Sequence, residues 1–245
     1  MGINKTENIV YKTAVALNKF TGKNNKATIE IDKKIPSGAG LGGGSSDAAT
    51  TLILLNDFWN LNLKLNNLVN IAAELGSDVP FFLYDKPAFV KGKGEIIETL
   101  NLNFNASYLI IYPNIHINTK MAYNLLDFYR KEEKYKQIET TINFHRNNSN
   151  NENIFVEEFG KYLENDFEAV MIKEYQELFD LKNYLAEISN GNSLMTGSGS
   201  TFFVLFNSFN EAKFAQTIFL KKYNSEKYNS TKYRNYATFI GNLCK

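Results

Sequence analysis

Five of the seven residues from Gly38 to Gly44 are glycine, in the run Pro36-Ser37-Gly38-Ala39-Gly40-Leu41-Gly42-Gly43-Gly44-Ser45-Ser46. Such a run does not sit inside a regular element. It reads as a loop whose backbone takes positive φ and lets a ligand approach closely. A helix is expected to follow at once, from Ser46 to about Asn60, with Ala48, Leu52, Leu55 and Trp59 as its buried stripe. The unpaired N–H groups of its first turn, and the positive end of its dipole, point at the loop. Together they form a phosphate cradle, to which Ser45 and Ser46 can add hydroxyls. The structural alternative is a plain glycine turn with Ser45 or Ser46 as helix N-cap.

Three types of phosphate loop can be compared with this run. The P-loop requires a lysine after its last glycine, and none is there. The dinucleotide pattern G-x-G-x-x-G is met formally by Gly38, Gly40 and Gly43, with Asp57 as the acid further on. Asp57, however, falls inside the following helix, whereas a ribose-binding acid ends the next strand. Pro36 also separates the glycines from the preceding strand. The third type is the ATP-binding loop of the GHMP kinases, which this run resembles from Pro36 to the paired serines Ser45 and Ser46.

A second segment, Leu75-Gly76-Ser77-Asp78-Val79-Pro80-Phe81-Phe82, sets a carboxylate among apolar residues after a helix stop. Asp78 can accept a proton from a hydroxyl that attacks a phosphate. It can equally cap a short helix opened by Val79-Pro80. A third segment, Thr196-Gly197-Ser198-Gly199-Ser200-Thr201, precedes the strand Phe202–Phe206. It is either a close backbone approach to a ligand or a glycine hinge entering that strand.

Elsewhere, periodicity predicts a helix from Asn8 through Leu17 stopped by Gly22, an alternating strand Ala27–Asp32, and a helix from Asn66 to Leu75. Short strands are expected at Ala88–Val90 and Glu95–Ile97, and a stronger one from Tyr108 to Tyr112. Helices are expected over Lys120–Tyr129, in pieces from Asn153 to Ile188, and over Glu211–Lys222, with a closing strand Tyr236–Ile240. The asparagine-rich stretch Asn147–Asn151 reads as a mobile loop. Strands and helices alternating in both halves indicate two lobes, residues 1–105 and 106–245.

Composition narrows the function classes. Formal net charge is +1, which gives no electrostatic reason to bind nucleic acid or an anionic membrane. The only arginines are Arg130, Arg146 and Arg234, so an anion is better held by backbone N–H groups or lysine. The single cysteine, Cys244, forms no internal disulfide framework and suits a reducing cytoplasm. With His116 and His145 it makes no zinc spacing, and no metal ligand set is read. No apolar run reaches the length of a membrane span, and Met1–Val10 lacks a signal-peptide layout.

The glycine loop resembles the ATP-binding motif of the GHMP kinases, P-x-G-x-G-L-G-S/G-S-S. Three glycines before Ser45-Ser46-Asp47-Ala48-Ala49 look like the branch that phosphorylates diphosphocytidyl-methylerythritol. That branch reads G-A-D-V-P-F-F where this chain has Gly76-Ser77-Asp78-Val79-Pro80-Phe81-Phe82. The resemblance makes Asp78 the catalytic base. Thr196–Ser200 resembles the third GHMP motif, which places Gly197, Ser198 and Gly199 near the nucleotide or substrate. Asn8-Ile9-Val10, Lys91-Gly92-Lys93-Gly94-Glu95 and Asn165-Asp166-Phe167-Glu168 match further segments of the branch. Thr119 and Tyr123 match a region that touches cytidine, with Tyr123 as a candidate stacking partner or, alternatively, a packed core aromatic.

The implied fold is α+β and two-lobed: an N-terminal α/β nucleotide lobe and a ferredoxin-like C-terminal lobe. The implied reaction is ATP-dependent phosphorylation of the C2 hydroxyl of a small cytidine-diphosphate substrate, with Mg²⁺ beside ATP and Ser45 or Ser46 as candidate ligands. Another GHMP kinase, or an ATP-binding remnant without catalysis, is the competing reading. The resemblance starts at about Asn8, whereas family members carry a further N-terminal segment with a K-[IL]-N-L lysine. A truncated nucleotide lobe is therefore expected, from a shortened reading frame or a degenerate relative. Little kinase activity and poor folding of the 245 residues alone are expected with it. Oligomeric state is left open.

Overall fold

The computed structural model describes residues 4–101, 103–132, 153–154, 156–189, 191–223 and 236–243. The chain divides into two compact units, Met1–Ser37 with Gly42–Asn101, and Gly38–Leu41 with Leu102–Lys245. The asparagine-rich stretch 147–151 lies outside the described residues.

In the first unit, α1 (Ile9–Thr21) starts where the Asn8 side chain accepts a hydrogen bond from the Val10 amide, and it ends on Gly22 in the left-handed conformation, φ 65°. Both caps follow from residue chemistry. α2 (Gly43–Phe58) and α3 (Leu65–Leu75) pack with α1 around Leu17, Ala48, Ala49, Leu52, Leu55, Ile71, Ala72 and Val79. A short 3-10 turn, Pro80–Leu83, closes this core from below Asp78, and β1 (Ala88–Lys91) pairs antiparallel with β2 (Ile96–Thr99).

Two expectations change here. α2 begins at Gly43, not Ser46, so Gly43, Gly44, Ser45 and Ser46 form its first turn. The N-cap is Gly42 at φ 65°, with no side-chain cap, so neither serine serves as one. Ala27–Asp32 forms no strand, because among the described residues no neighbour takes its backbone N–H and C=O groups. The segment is pinned at its start instead. Asn18 donates to the Asn25 carbonyl and accepts from the Asn25 amide, and Trp59 Nε1 donates to the Lys26 carbonyl. Ala27–Glu30 then runs beside Leu54, Leu55 and Phe58 of α2, leaving Ile29 and Ile31 exposed.

The second unit is built on a four-stranded antiparallel sheet in the order β6-β7-β4-β8, where β4 is Ser107–Tyr112, β6 Ser193–Met195, β7 Phe202–Phe206 and β8 Ala237–Asn242. A two-residue parallel pair joins β3 (Asn103–Phe104) and β5 (Asn153–Ile154). β5 takes the start of the stretch expected to be helical from Asn153, where the first helix begins only at Val156, and β6 is not expected; two or three residues are too few for an alternation pattern. Side chains alternate across the main sheet. Leu109, Ile111, Met195, Phe202 and Val204 face one core, and Leu205, Phe203 and Tyr108 face a smaller one with Ala106 and Val156.

The larger core is covered by α4 (Thr119–Glu132), α6 (Asp166–Glu174), α7 (Gln176–Ser189) and α8 (Phe209–Tyr223) through Ala122, Leu126, Met171, Leu178, Leu181, Leu185 and Phe219. α5 (Val156–Gly160) buries Val156 against the smaller core.

Candidate active site

In the first unit, the first intrahelical bond of α2 runs from the Ser46 amide to the Gly42 carbonyl at 2.9 Å. The amides of Gly43, Gly44 and Ser45 precede it and have no partner inside the helix. A Cβ at Gly44 would meet nothing within 4 Å, so the helix surface at Gly44 is open. These are the features a phosphate oxygen needs, and the residues present fit a nucleotide polyphosphate. Lys33 stands beside them. Its ammonium pairs with Asp47 and lies 3.2 Å from where a Cβ at Gly43 would be. Sequence reading passed over Lys33, because nothing in its spacing marks a lysine ahead of Pro36 as facing the helix end.

Asp78 occupies the exposed turn between α3 and the 3-10 turn, with Val79 and Pro80 buried behind it. Two contacts fix that turn. The Phe82 ring lies against Gly42, where a Cβ would come within 2.8 Å of the ring edge. Phe81 meets Phe82 edge-on with centroids 5.4 Å apart. On the other side, a Cβ at Gly94 would fall 1.8 Å from the Ser77 carbonyl oxygen, so the β1–β2 hairpin turn presses its backbone on the residue preceding Asp78. The Asp78 turn and the start of α2 thus belong to one packed unit.

In the second unit, Gly38–Leu41 lies on the third glycine segment. Thr196 Oγ1 donates to the Gly40 carbonyl, and the Thr201 amide donates to the Ala39 carbonyl at 3.4 Å. Gly40, at φ 75°, has no room for a side chain, since a Cβ would sit 2.3 Å from the Thr196 carbonyl oxygen. The His116 ring covers Gly38, a contact between residues 78 positions apart that no local pattern signals.

Thr119 and Ser198 meet through their hydroxyls at 3.2 Å. Gly197 is exposed, whereas Gly199 is buried and accommodates Met195 and Ile117. Tyr123 is 55% exposed on α4, its ring edge-on to Phe167 at 4.9 Å, so it is not a packed core aromatic. Pro36 and Ser37 lie in the first unit, directly ahead of Gly38.

Among the described residues no group of three or more His, Cys, Asp or Glu side chains gathers as a metal site, and no helix is long and apolar enough to cross a membrane. A Mg²⁺ bound with phosphate needs few protein ligands. Ser45, Ser46 and Asp47, all in the first turns of α2, offer oxygens of the right kind.

The model of the GHMP kinase N-terminal domain matches residues 8–86, and that of the GHMP kinase C-terminal domain matches residues 150–225. The chain is 39% identical over 224 residues to the 4-diphosphocytidyl-2-C-methyl-D-erythritol kinase of Thermodesulfovibrio yellowstonii, covering 89% of this chain and 75% of that one. The enzyme of the same name from Lawsonia intracellularis is 37% identical over 235 residues, 91% of this chain and 75% of that one. A crystal structure of 4-(cytidine 5'-diphospho)-2C-methyl-D-erythritol kinase superposes with a TM-score of 0.72 at 26% identity, covering 99% of this chain and 80% of that one. Glycine loop, aspartate turn and third glycine segment fall within this shared sequence and fold, and the chain belongs to the GHMP kinases, in the family of 4-diphosphocytidyl-2-C-methyl-D-erythritol kinases.

Proposed function

We propose that this kinase transfers the terminal phosphoryl group of ATP to the C2 hydroxyl of 4-diphosphocytidyl-2-C-methyl-D-erythritol, with Asp78 as the base. The observation that carries the reading is the Phe82–Gly42 contact, which ties the Asp78 turn to the helix end whose first amides have no partner inside the helix. The α2 amides and the Gly38–Gly44 backbone hold the phosphates, and Lys33 adds a positive charge beside Gly43. Asp78 takes the hydroxyl proton as the oxygen attacks the γ-phosphorus, and ADP leaves with the bridging oxygen. Mg²⁺, held by Ser45 or Ser46 and the phosphates, would offset the negative charge that accumulates on them.

The exposed Tyr123 ring, backed by Phe167 and close in sequence to Thr119, supports a stacking surface for cytosine. Ser198, preceded by the exposed Gly197, meets the Thr119 hydroxyl four residues before Tyr123 on α4. ATP as donor makes the cytoplasm the compartment. The test is a panel of alcohols offered with radiolabelled ATP: the cytidylylated methylerythritol should be labelled, and homoserine and mevalonate should not. Labelling of homoserine or mevalonate instead would overturn the substrate assignment. Transfer by Asp78→Asn at the full wild-type rate would overturn the base.

A further inference from the structure

The segment Asn165-Asp166-Phe167-Glu168 has no part in the chemistry above, yet it is wired to the glycine loop. Asn165 Oδ1 caps α6 by accepting from the Phe167 amide at 2.9 Å. Its Nδ2 donates to two carbonyls of the third glycine segment, Met195 O at 2.6 Å and Gly197 O at 2.8 Å. One turn on, Glu168 Oε2 accepts from the Met195 amide at 2.6 Å, and its other oxygen pairs with Lys182 at 2.9 Å. Lys182 donates in turn to the Ser193 carbonyl. Both charged side chains are largely shielded, 12% and 23% exposed, so the pair is less screened than a surface one.

The stretch Met195–Gly197 is thus held on both sides of Thr196, whose hydroxyl holds the Gly40 carbonyl. Gly197 and Gly40 also touch, a Cβ at Gly197 lying 3.1 Å from the Gly40 carbonyl oxygen. All of these groups lie in the second unit.

We propose that Asn165 is a positioning residue for ATP binding: its carboxamide, seconded by Glu168–Lys182, fixes Met195–Gly197 so that Thr196 sets the backbone of Gly40 in the phosphate loop. The proposal rests on the phosphate-binding reading of that loop. A preset loop binds more tightly because less order has to be created when the nucleotide arrives. Removing the preset loosens ATP and leaves the proton transfer at Asp78 alone.

Asn165→Asp is the selective variant. Aspartate still caps α6, but it sets a carboxylate oxygen against two carbonyl oxygens where the amide donated. ATP affinity by titration calorimetry should fall about tenfold, as groups in one hydrogen-bonded network are coupled. The rate at saturating ATP should stay within about twofold. Thr196→Val should reproduce the loss, and Thr196→Ser should restore it. The Asn165→Asp/Thr196→Val double variant should be no weaker than the worse single one, because both cut the same chain of contacts.

Additive losses, or a lowered melting temperature with unchanged ATP affinity, overturn the positioning role. Hydrogen exchange of residues 38–42 in the nucleotide-free protein provides a second readout. It must speed up in Asn165→Asp and in Thr196→Val, and unchanged exchange rejects the proposal whether or not ATP binds. If exchange speeds up but the unsubstituted protein binds no ATP, the phosphate-loop reading fails and the contact chain stands.

Discussion

The ring of Phe82 fills the space that a side chain at Gly42 would need, and so the loop carrying Asp78 is seated against the first turn of α2. Gly42 is also the left-handed N-cap of that helix, at φ 65°. Gly42→Ala should therefore be penalised twice, by about 1–2 kcal/mol for the left-handed backbone and further by the clash with the ring. Urea unfolding should show the midpoint falling in Gly42→Ala. Combining it with Phe82→Ala should remove the clash alone, so the double variant should be more stable than the sum of the singles implies. Strict additivity would count against the contact.

Gly94 controls Asp78 from the other side. A Cβ there would lie 1.8 Å from the Ser77 carbonyl, an overlap between backbones that no side-chain rotation relieves. Gly94→Ala should displace the turn, and a displacement of about 1 Å can lower kcat about 10²-fold. ATP affinity should change little. Steady-state kinetics with calorimetric ATP titration checks both, and a loss confined to ATP binding would show that the hairpin turn does not position Asp78.

Asp78 itself is exposed, so its replacement should hardly affect folding. Asp78→Asn should lower kcat about 10²- to 10⁴-fold with ATP affinity preserved. Single-turnover transfer of the γ-phosphoryl group measures the step directly.

Tyr123 separates stacking from packing. Its ring is 55% exposed and backed by Phe167, so Tyr123→Ala should change stability by no more than about 0.5 kcal/mol. KM for the cytidylylated substrate should rise about tenfold, since stacking a base on an aromatic ring contributes about 1–3 kcal/mol. Tyr123→Phe should keep most of the affinity. An unchanged KM in Tyr123→Ala would remove cytosine from this surface.

Much of the local structure was legible. α1 was expected because Val10 and Leu17 fall on one helical face, and it is capped by Asn8 and Gly22 as their chemistry dictates. β4 and β7 were expected from apolar runs, and they pair with Ile111 opposite Phe202. The start of α2 was misjudged by three residues, because glycine carries no helical preference and Gly43 and Gly44 entered the helix against their local tendency. The alternation of Ile29 and Ile31 points to a strand that does not form, because a strand needs a ladder partner, which alternation does not specify.

What the sequence alone determined is whatever depends on neighbours a few residues away: the period of each helix, its caps, the glycine loop that leads into a helix end, and the family those motifs belong to. Only the tertiary structure decided that Thr196 holds Gly40 from 156 positions away, that Gly94 presses on Ser77, and that Lys33 pairs with Asp47. Local signals act through φ, ψ and side-chain period, which a short stretch of chain carries within itself. Contacts between distant segments depend on how whole elements pack, and no single segment contains that information.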